Sequence, residues 1–419
     1  MTPAAASTTG LILTGGGARA AYQAGVLSAV AQLQARHAAD TANPFHVIAG
    51  TSAGAINAGA LAAGADDFQR AVATLEAVWA GMHAHDVYRA DAWGVARSGA
   101  RWLSLFSLGW AFARWKRARP RSLLDNNPLA ELLRDWVPLQ RLPALMEGGH
   151  LRALAITASS YSSGEHVTFY DAMDDIAPWT RSQRIAVRSP ITHEHLLASS
   201  AIPFVFPAMP LALHERTEYF GDGSMRQAAP ISPAVHLGAQ RILVIGAGRL
   251  TEPPGVRDAT LGYPSLAQIA GHALSNIFLD ALAVDIERLR RINHTLSLLP
   301  PQARAQTSLR PLDVLVIAPS QRLDDLAARH VQALPPSVRA MLRAIGVAPA
   351  TAGPGPSATS GAALASYLLF EQDYTRELIA LGASDTLARA DEVCRFFDWG
   401  EPGAAQREAL RAGASAAAA

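Results

Sequence analysis

The sequence predicts an α/β fold of three layers, with helices on both faces of a mainly parallel central sheet and a helical C-terminal region. Three observations predict it. Two short apolar runs, Leu11–Leu13 and Phe45–Ala49, each end in a glycine turn and lead into helical patterns, Ala20 to Gln34 and Ala53 to Ala63. Strand, glycine turn and helix in repetition mark parallel strands joined by crossover helices. The 419 residues are 50% apolar and only 17% charged, enough to bury a sizeable core. Beyond Pro319 the apolar spacing is helical only.

The remaining elements follow along the chain. Further strands are expected at Leu151–Ala158, His166–Tyr170, Glu218–Gly221, Arg241–Ile245 and Leu312–Ile317, with helices between some of them at Ile231–Leu237 and Leu266–Ile292. In the C-terminal region a linker is expected from Ala352 to Gly361, where glycine, proline and serine crowd together. Helical spacing resumes through Tyr367, Leu368, Phe370, Tyr374, Leu378 and Leu381. The expected organisation is an α/β domain over 8–320 carrying a basic, aromatic insertion near 85–125, a helical region over 321–402, and an alanine-rich tail over 403–419.

Composition excludes several classes. Thirty-six Lys and Arg stand against thirty-five Asp and Glu, so the chain as a whole is no polyanion binder. The single Cys394 cannot close an intramolecular disulfide. The first ten residues carry no basic targeting region, and no run of about 20 apolar residues is long enough to span a bilayer. The expectation is a cytoplasmic protein whose membrane contact, if any, is peripheral, at the inner face. His193 and His195 precede a helical run without forming a metal pair, and no Cys/His cluster or calcium loop exists, so no metal is expected.

The sharpest chemical signal is Gly50-Thr51-Ser52-Ala53-Gly54, a G-x-S-x-G between strand and helix. A serine on so tight a turn needs small neighbours, and its hydroxyl projects at the carboxyl edge of the sheet beside a helix N-terminus. An ordinary turn with a capping serine would read the same way. Thirty-seven residues upstream, Gly15, Gly16 and Gly17 expose successive backbone amides that can hold an oxyanion or a phosphate. Gly15-x-Gly17-x-x-Ala20 also satisfies a dinucleotide fingerprint, which would make the chain a nucleotide-binding oxidoreductase. That reading wants an acidic residue ending the second strand. Asp40 has the distance but follows a polar, helix-like segment. The third signal is Asp222-Gly223 after Tyr219 and Phe220, either a carboxylate at a strand end or a plain Asp-Gly turn. A three-residue hydrolase triad would need a histidine such as His236, His272 or His294, and each lies in or at the end of a helical pattern.

Between Arg89 and Arg121 stand eight Lys and Arg against one acid, Asp91, interleaved with Trp93, Trp102, Trp110 and Trp115. A basic, tryptophan-rich stretch suits the headgroup interface of an anionic membrane, with Trp102, Trp110, Trp115, Lys116 and Arg117 as contacts. A cap packing its aromatics over a cleft would look alike. No nucleic-acid recognition motif accompanies the patch.

Taken together, the glycine-rich loop, the G-x-S-x-G and the distant Asp-Gly resemble the patatin-like phospholipases. Supporting context lies in Ala198-Ser199-Ser200-Ala201-Ile202-Pro203, Tyr219-Phe220-Gly221-Asp222-Gly223, Pro230 and Leu237-Gly238-Ala239. The likeness runs from about Leu11 to Ile245 and more weakly through Ser366–Gly382. It implies a serine lipid acyl hydrolase without cofactor, with Ser52 as nucleophile between Gly50 and Gly54, Asp222 as its base, and Gly15, Gly16, Gly17, Ala18 and Arg19 as the oxyanion loop. Ala20 stands where the family often has glycine, and Ser224 where glycine or alanine is commoner. The other readings left open are the oxidoreductase and a lipid-binding scaffold without catalysis.

Overall fold

A computed structural model describes residues 7–39, 41–89, 122–173, 176–213, 215–249, 266–344 and 356–400, with backbone alone over most of 266–280 and over 356–361. Asp40, the tail from 403, and the segment bearing Trp102, Trp110, Trp115, Lys116 and Arg117 lie outside the described residues.

The core is a mixed sheet in which strands β1 (Thr9–Leu13), β2 (Val47–Thr51), β3 (Ala153–Ser160), β9 (Arg241–Ile245) and β10 (Asp313–Ile317) run parallel in the spatial order β10-β9-β1-β2-β3. Beyond β3 the direction reverses. β4 (His166–Ala172) pairs antiparallel to β3, followed by β6 (Arg184–Arg188) and the short edge strand β5 (Thr180–Arg181). A hairpin of β7 (Met209–Leu213) and β8 (Arg216–Asp222) also joins β3, antiparallel, through Ala158–Asp222, Ser159–Gly221 and Ser160–Phe220.

The strands alternate their side chains between two apolar layers, as a sheet buried on both faces must. Leu11, Leu13, Ile48, Leu243 and Ile245 face one core, which they share with Tyr22 and Leu27 of α1 (Ala21–His37), Leu61 of α2 (Ala53–Ala63) and Leu75 of α3 (Phe68–Ala80). Ile12, Val47, Ala49, Ile242 and Val244 face the other, beneath the turn Ser232–His236 and the long α6 (Leu266–Leu298). Two further helices, α4 (Asn127–Trp136) and α5 (His193–Ser199), complete the wall near the strand ends. Helix α3 starts where the Asp67 side chain accepts the Arg70 amide at 3.0 Å, an N-cap that satisfies an otherwise orphaned donor.

The C-terminal helices are α7 (Leu323–His330), α8 (Pro336–Ala344), α9 (Pro356–Leu368), α10 (Gln372–Leu387) and α11 (Ala390–Phe396). Their residues Leu326, Leu364, Tyr374, Leu378 and Phe396 belong to the same apolar core as α1 to α3, and α10 packs along α1. The expected linker over 352–361 is corrected in part, because α9 begins at Pro356. Proline is tolerated in a first helical turn, and the apolar residues Ala362, Leu364, Ala365 and Leu368 that follow are buried. His193 and His195 likewise sit inside α5 rather than ahead of it. Among the described residues no helix is long and apolar enough to cross a membrane.

Candidate active site

Three loops meet at the carboxyl edge of the parallel strands. The glycine loop leaves β1, Ser52 leaves β2, and Asp222 ends β8 opposite Ala158 of β3. Ligands of open α/β sheets collect outside this edge.

Ser52 occupies a sharp turn, with φ 57° and ψ −131°. A positive φ in a residue with a side chain is strained, and the surroundings must hold it there. Two contacts do so. The Ser52 amide donates to Ser199 Oγ at 2.8 Å, and Ser199 Oγ donates to the Thr157 carbonyl at 2.6 Å, tying the turn to α5 and β3. Gly54 is held by sterics, since a Cβ there would meet the Leu13 carbonyl oxygen at 2.3 Å. The first turn of α2 therefore lies against the end of β1, bringing the serine beside the glycine loop.

The Ser52 hydroxyl donates to Asp222 Oδ2 at 2.6 Å across 170 residues of sequence. The other oxygen, Oδ1, accepts the Ser224 amide at 2.9 Å. Asp222 has no exposed surface, and burial lifts its carboxyl to about 6, with the hydrogen bonds from Ser52 and Ser224 opposing that rise. Such a group is mostly ionised at neutral pH yet is a stronger base than an ordinary carboxylate. No described histidine side chain hydrogen-bonds to either residue. The His236 ring bonds to the Ser232 carbonyl at 2.8 Å and stacks on Trp179, while His294 is exposed on α6. The His272 side chain lies outside the described residues. His193 bonds the Val137 carbonyl at 2.8 Å and His195 caps α5 through Thr192, so the two serve unrelated partners.

Gly15 and Gly16 lead into a short 3-10 turn, Gly17–Ala20, in which the amides of Gly16, Gly17 and Ala18 make no backbone hydrogen bond outside their own turn. Thr14 anchors the start of the loop, its hydroxyl donating to the Ile245 carbonyl at 3.2 Å and accepting the Ala247 amide at 3.0 Å. Gly17 has φ 56°, and a Cβ there would sit 2.3 Å from the Tyr367 carbonyl oxygen. β2 runs directly into Ser52 with no acidic residue at its end, so the carboxylate a dinucleotide fingerprint wants is missing from that strand.

Arg19 departs from its expected place among the oxyanion residues. Its amide donates to the Gly16 carbonyl at 3.1 Å, and its side chain is buried away from Ser52. The guanidinium donates to Ser366 Oγ at 2.7 Å and the Ala363 carbonyl at 3.2 Å, pairs with Asp324, and lies 4.1 Å from the Tyr367 ring centroid. It fastens the glycine loop to the C-terminal helices.

Beside Ser52 an apolar pocket is lined by Ile56, Trp79, Leu129, Ile202, Phe206 and Phe370. It has the character of a site for an apolar chain, with Ser52 at its rim.

The family model for patatin-like phospholipases matches residues 11–235. The chain belongs to the patatin-like phospholipase family. Its activity is accordingly that of a lipid acyl hydrolase. Among solved structures it is similar to VipD from Legionella pneumophila, at 13% identity and TM-score 0.30 over 98% of this chain and 75% of that one. It is similar also to the type III effector protein ExoU, at 15% identity and TM-score 0.25 over 97% of this chain and 93% of that one. No curated protein matches it.

Several residues of this patatin-like site escaped sequence reasoning. Ser199, whose hydroxyl ties the Ser52 turn to β3, has no local signal beyond its place in Ala198–Pro203. Gln23 and Asn57, both fully buried, form a chain beneath the glycine loop: Trp79 Nε1 donates to Asn57 Oδ1, Asn57 Nδ2 to Gln23 Oε1, and Gln23 Nε2 to the Thr14 carbonyl, at 2.8, 2.9 and 2.7 Å. An amide side chain amid the small residues of α2 was the only available signal for it. Tyr161, half exposed over Gly221, feels the Asp222 carboxylate and donates to Met225 Sδ at 3.6 Å.

Proposed function

We propose that this lipid acyl hydrolase works through a two-residue dyad, Ser52 as nucleophile and Asp222 as general base, on carboxylic esters of phospholipids or lysophospholipids. The observation that carries the reading is the 2.6 Å hydrogen bond from Ser52 to a buried carboxylate whose pKa is lifted to about 6. Asp222 takes the hydroxyl proton as Ser52 Oγ bonds to the ester carbonyl carbon, whose π electrons move to oxygen. The oxyanion settles on the amides of Gly16, Gly17 and Ala18, where one such donor is typically worth about 3 kcal/mol. Collapse of the tetrahedral intermediate breaks the bond to the leaving alcohol, which takes the proton from Asp222. Water, deprotonated by the same carboxylate, then cleaves the acyl-enzyme and restores Ser52. The acyl chain lies in the pocket of Trp79, Ile202 and Phe370.

A fluorophosphonate probe tests the nucleophile. One adduct per chain is expected, located on Ser52 by peptide mass spectrometry and absent from Ser52→Ala. A variant that still hydrolyses phospholipid would exclude Ser52, and a wild-type protein that neither labels nor turns over would leave a lipid-binding scaffold.

The substrate is reached from a membrane surface, and we place the contact on the basic, tryptophan-rich segment 89–121, which carries eight cationic side chains. Each Lys or Arg near an anionic surface contributes about 1 kcal/mol. Replacing Trp102, Trp110 and Trp115 together by serine is expected to weaken cosedimentation with phosphatidylglycerol liposomes at least tenfold, since each indole buries a large apolar area. Unchanged binding would assign those indoles to packing.

A further inference from the structure

On the face of the sheet away from the acyl pocket lies a second, open cavity of about 470 Å³. Its walls are the β5–β6 turn at Ser182–Arg184, the segment Ser224–Ala228 that follows Asp222, and Ala281 of α6. Two guanidinium-bearing residues line it, Arg184 and Arg226, and among the described residues no carboxylate does. Neither guanidinium makes a hydrogen bond or ion pair among the described residues. Asp285, an acid that feels the Arg184 charge, is already engaged: it pairs with Arg288 at 3.5 Å and accepts the Ile231 amide at 3.1 Å. Among the described residues the cavity wall is thus cationic.

His166 adds a second observation. It is the register partner of Arg184 on neighbouring strands, so the two side chains share one face of the sheet. It is 4% exposed, and its Nε2 has no hydrogen-bond partner. Burial first, and the Arg184 charge second, push its pKa down to about 4, so at neutral pH it is an uncharged ring carrying unused hydrogen-bonding capacity.

The cavity is also wired to the dyad. The segment that forms one wall supplies the Ser224 amide to Asp222, and Gln227 Nε2 donates to Thr51 Oγ1 at 2.7 Å, one residue before Ser52. An occupant therefore bears on the backbone that positions both members of the dyad.

We propose that this cavity binds a phosphate group carried on a small polar body, through Arg184 and Arg226. Two arginines converging from different elements match the several oxygens of a phosphate, which guanidinium groups bind through paired hydrogen bonds. The volume is in the range of small-molecule sites and exceeds what a bare ion needs. The phosphate belongs either to the headgroup of the lipid whose ester lies at Ser52, which rests on the dyad reading above, or to a separate water-soluble phosphoester.

The probe is sn-glycerol 3-phosphate, followed by calorimetry and by ³¹P line broadening on the full chain. Saturable binding is expected, weakened roughly tenfold or more in Arg226→Gln and further in Arg184→Gln/Arg226→Gln, because each substitution removes charge-assisted hydrogen bonds. Thermal melts control for folding; if the double variant unfolds, Arg226→Gln, at an exposed position, carries the test. Competitive inhibition of phosphatidylglycerol hydrolysis by glycerol 3-phosphate would assign the cavity to the substrate headgroup. Binding without competition would assign it to a separate phosphoester. Absence of binding, or binding that both substitutions leave unchanged, overturns the proposal. Failure of the dyad reading shows instead as turnover in Ser52→Ala and leaves phosphate binding as it was, so the two outcomes are distinguishable.

Discussion

Asp222→Asn is expected to lower kcat roughly 10³-fold with little change in KM, while making the folded protein more stable at neutral pH. The loss follows from the base: asparagine keeps the shape and can satisfy both Ser52 and the Ser224 amide, but it cannot take a proton. The wild-type pH profile should carry the same signature. With the carboxyl at about 6, kcat/KM rises about tenfold per pH unit below that value and levels above it. The gain in stability follows from burial. Raised from 3.8 to about 6, the carboxyl holds its proton in the folded chain after the unfolded chain has lost it. Its contribution is therefore most favourable below about 3.8 and falls as pH rises through about 6, by about 3 kcal/mol in all. Asparagine is spared that cost. Thermal melts at about pH 4 and pH 8 should show the variant gaining on the wild type as pH rises. A stability gap independent of pH, or activity within tenfold of wild type, would remove Asp222 as the base.

Arg19→Met should produce the largest stability loss among substitutions near the site. Methionine fills much of the volume, but the change strips Asp324, Ser366 and the Ala363 carbonyl of their shared cation and removes the stack on Tyr367. Breaking a buried ion pair from one side typically costs 3–5 kcal/mol. Asp324 keeps 19% of its side-chain surface exposed and can recover some hydration, so about 3 kcal/mol is expected by urea unfolding. Arg19→Met/Asp324→Leu should regain part of the loss, because no charge is then left without a partner. Activity should fall as well, since Gly17 rests against the Tyr367 carbonyl and loses its backing when the C-terminal helices loosen. An unchanged unfolding midpoint in Arg19→Met would mean that those helices dock by apolar packing alone.

The two substitutions touch different layers of information. Ser52 and its glycines were legible in the sequence because strand, tight turn and helix succeed one another within a few residues, and local backbone chemistry dictates which side chains fit there. The parallel strands β1, β2 and β9 were legible for the same reason: buried on both faces, they read as short, nearly continuous apolar runs. The edge strand β10 keeps such a run in Val314–Ile317 although it is only partly buried. The strands β5, β6 and β7 were not, since all three are short and partly exposed, β5 is polar throughout, β6 is bounded by arginines and β7 carries a proline. Helix α9 was hidden by the proline and glycine before it, whose turn-forming tendency is overridden by packing of the apolar residues that follow.

Chain composition and local pattern thus determined the layered architecture, the tight turn at Ser52 and the glycine loop. The tertiary structure alone decided that Asp222 meets Ser52, that Ser199 holds the strained turn, that the Arg19 side chain turns from the glycine loop to the C-terminal helices, and that Arg184 and Arg226 share a cavity. Each of these is a contact between segments brought together by strand order and helix packing. A hydrogen bond across 170 or 347 residues leaves no periodicity in the sequence to read, because its geometry exists only once the sheet has been assembled.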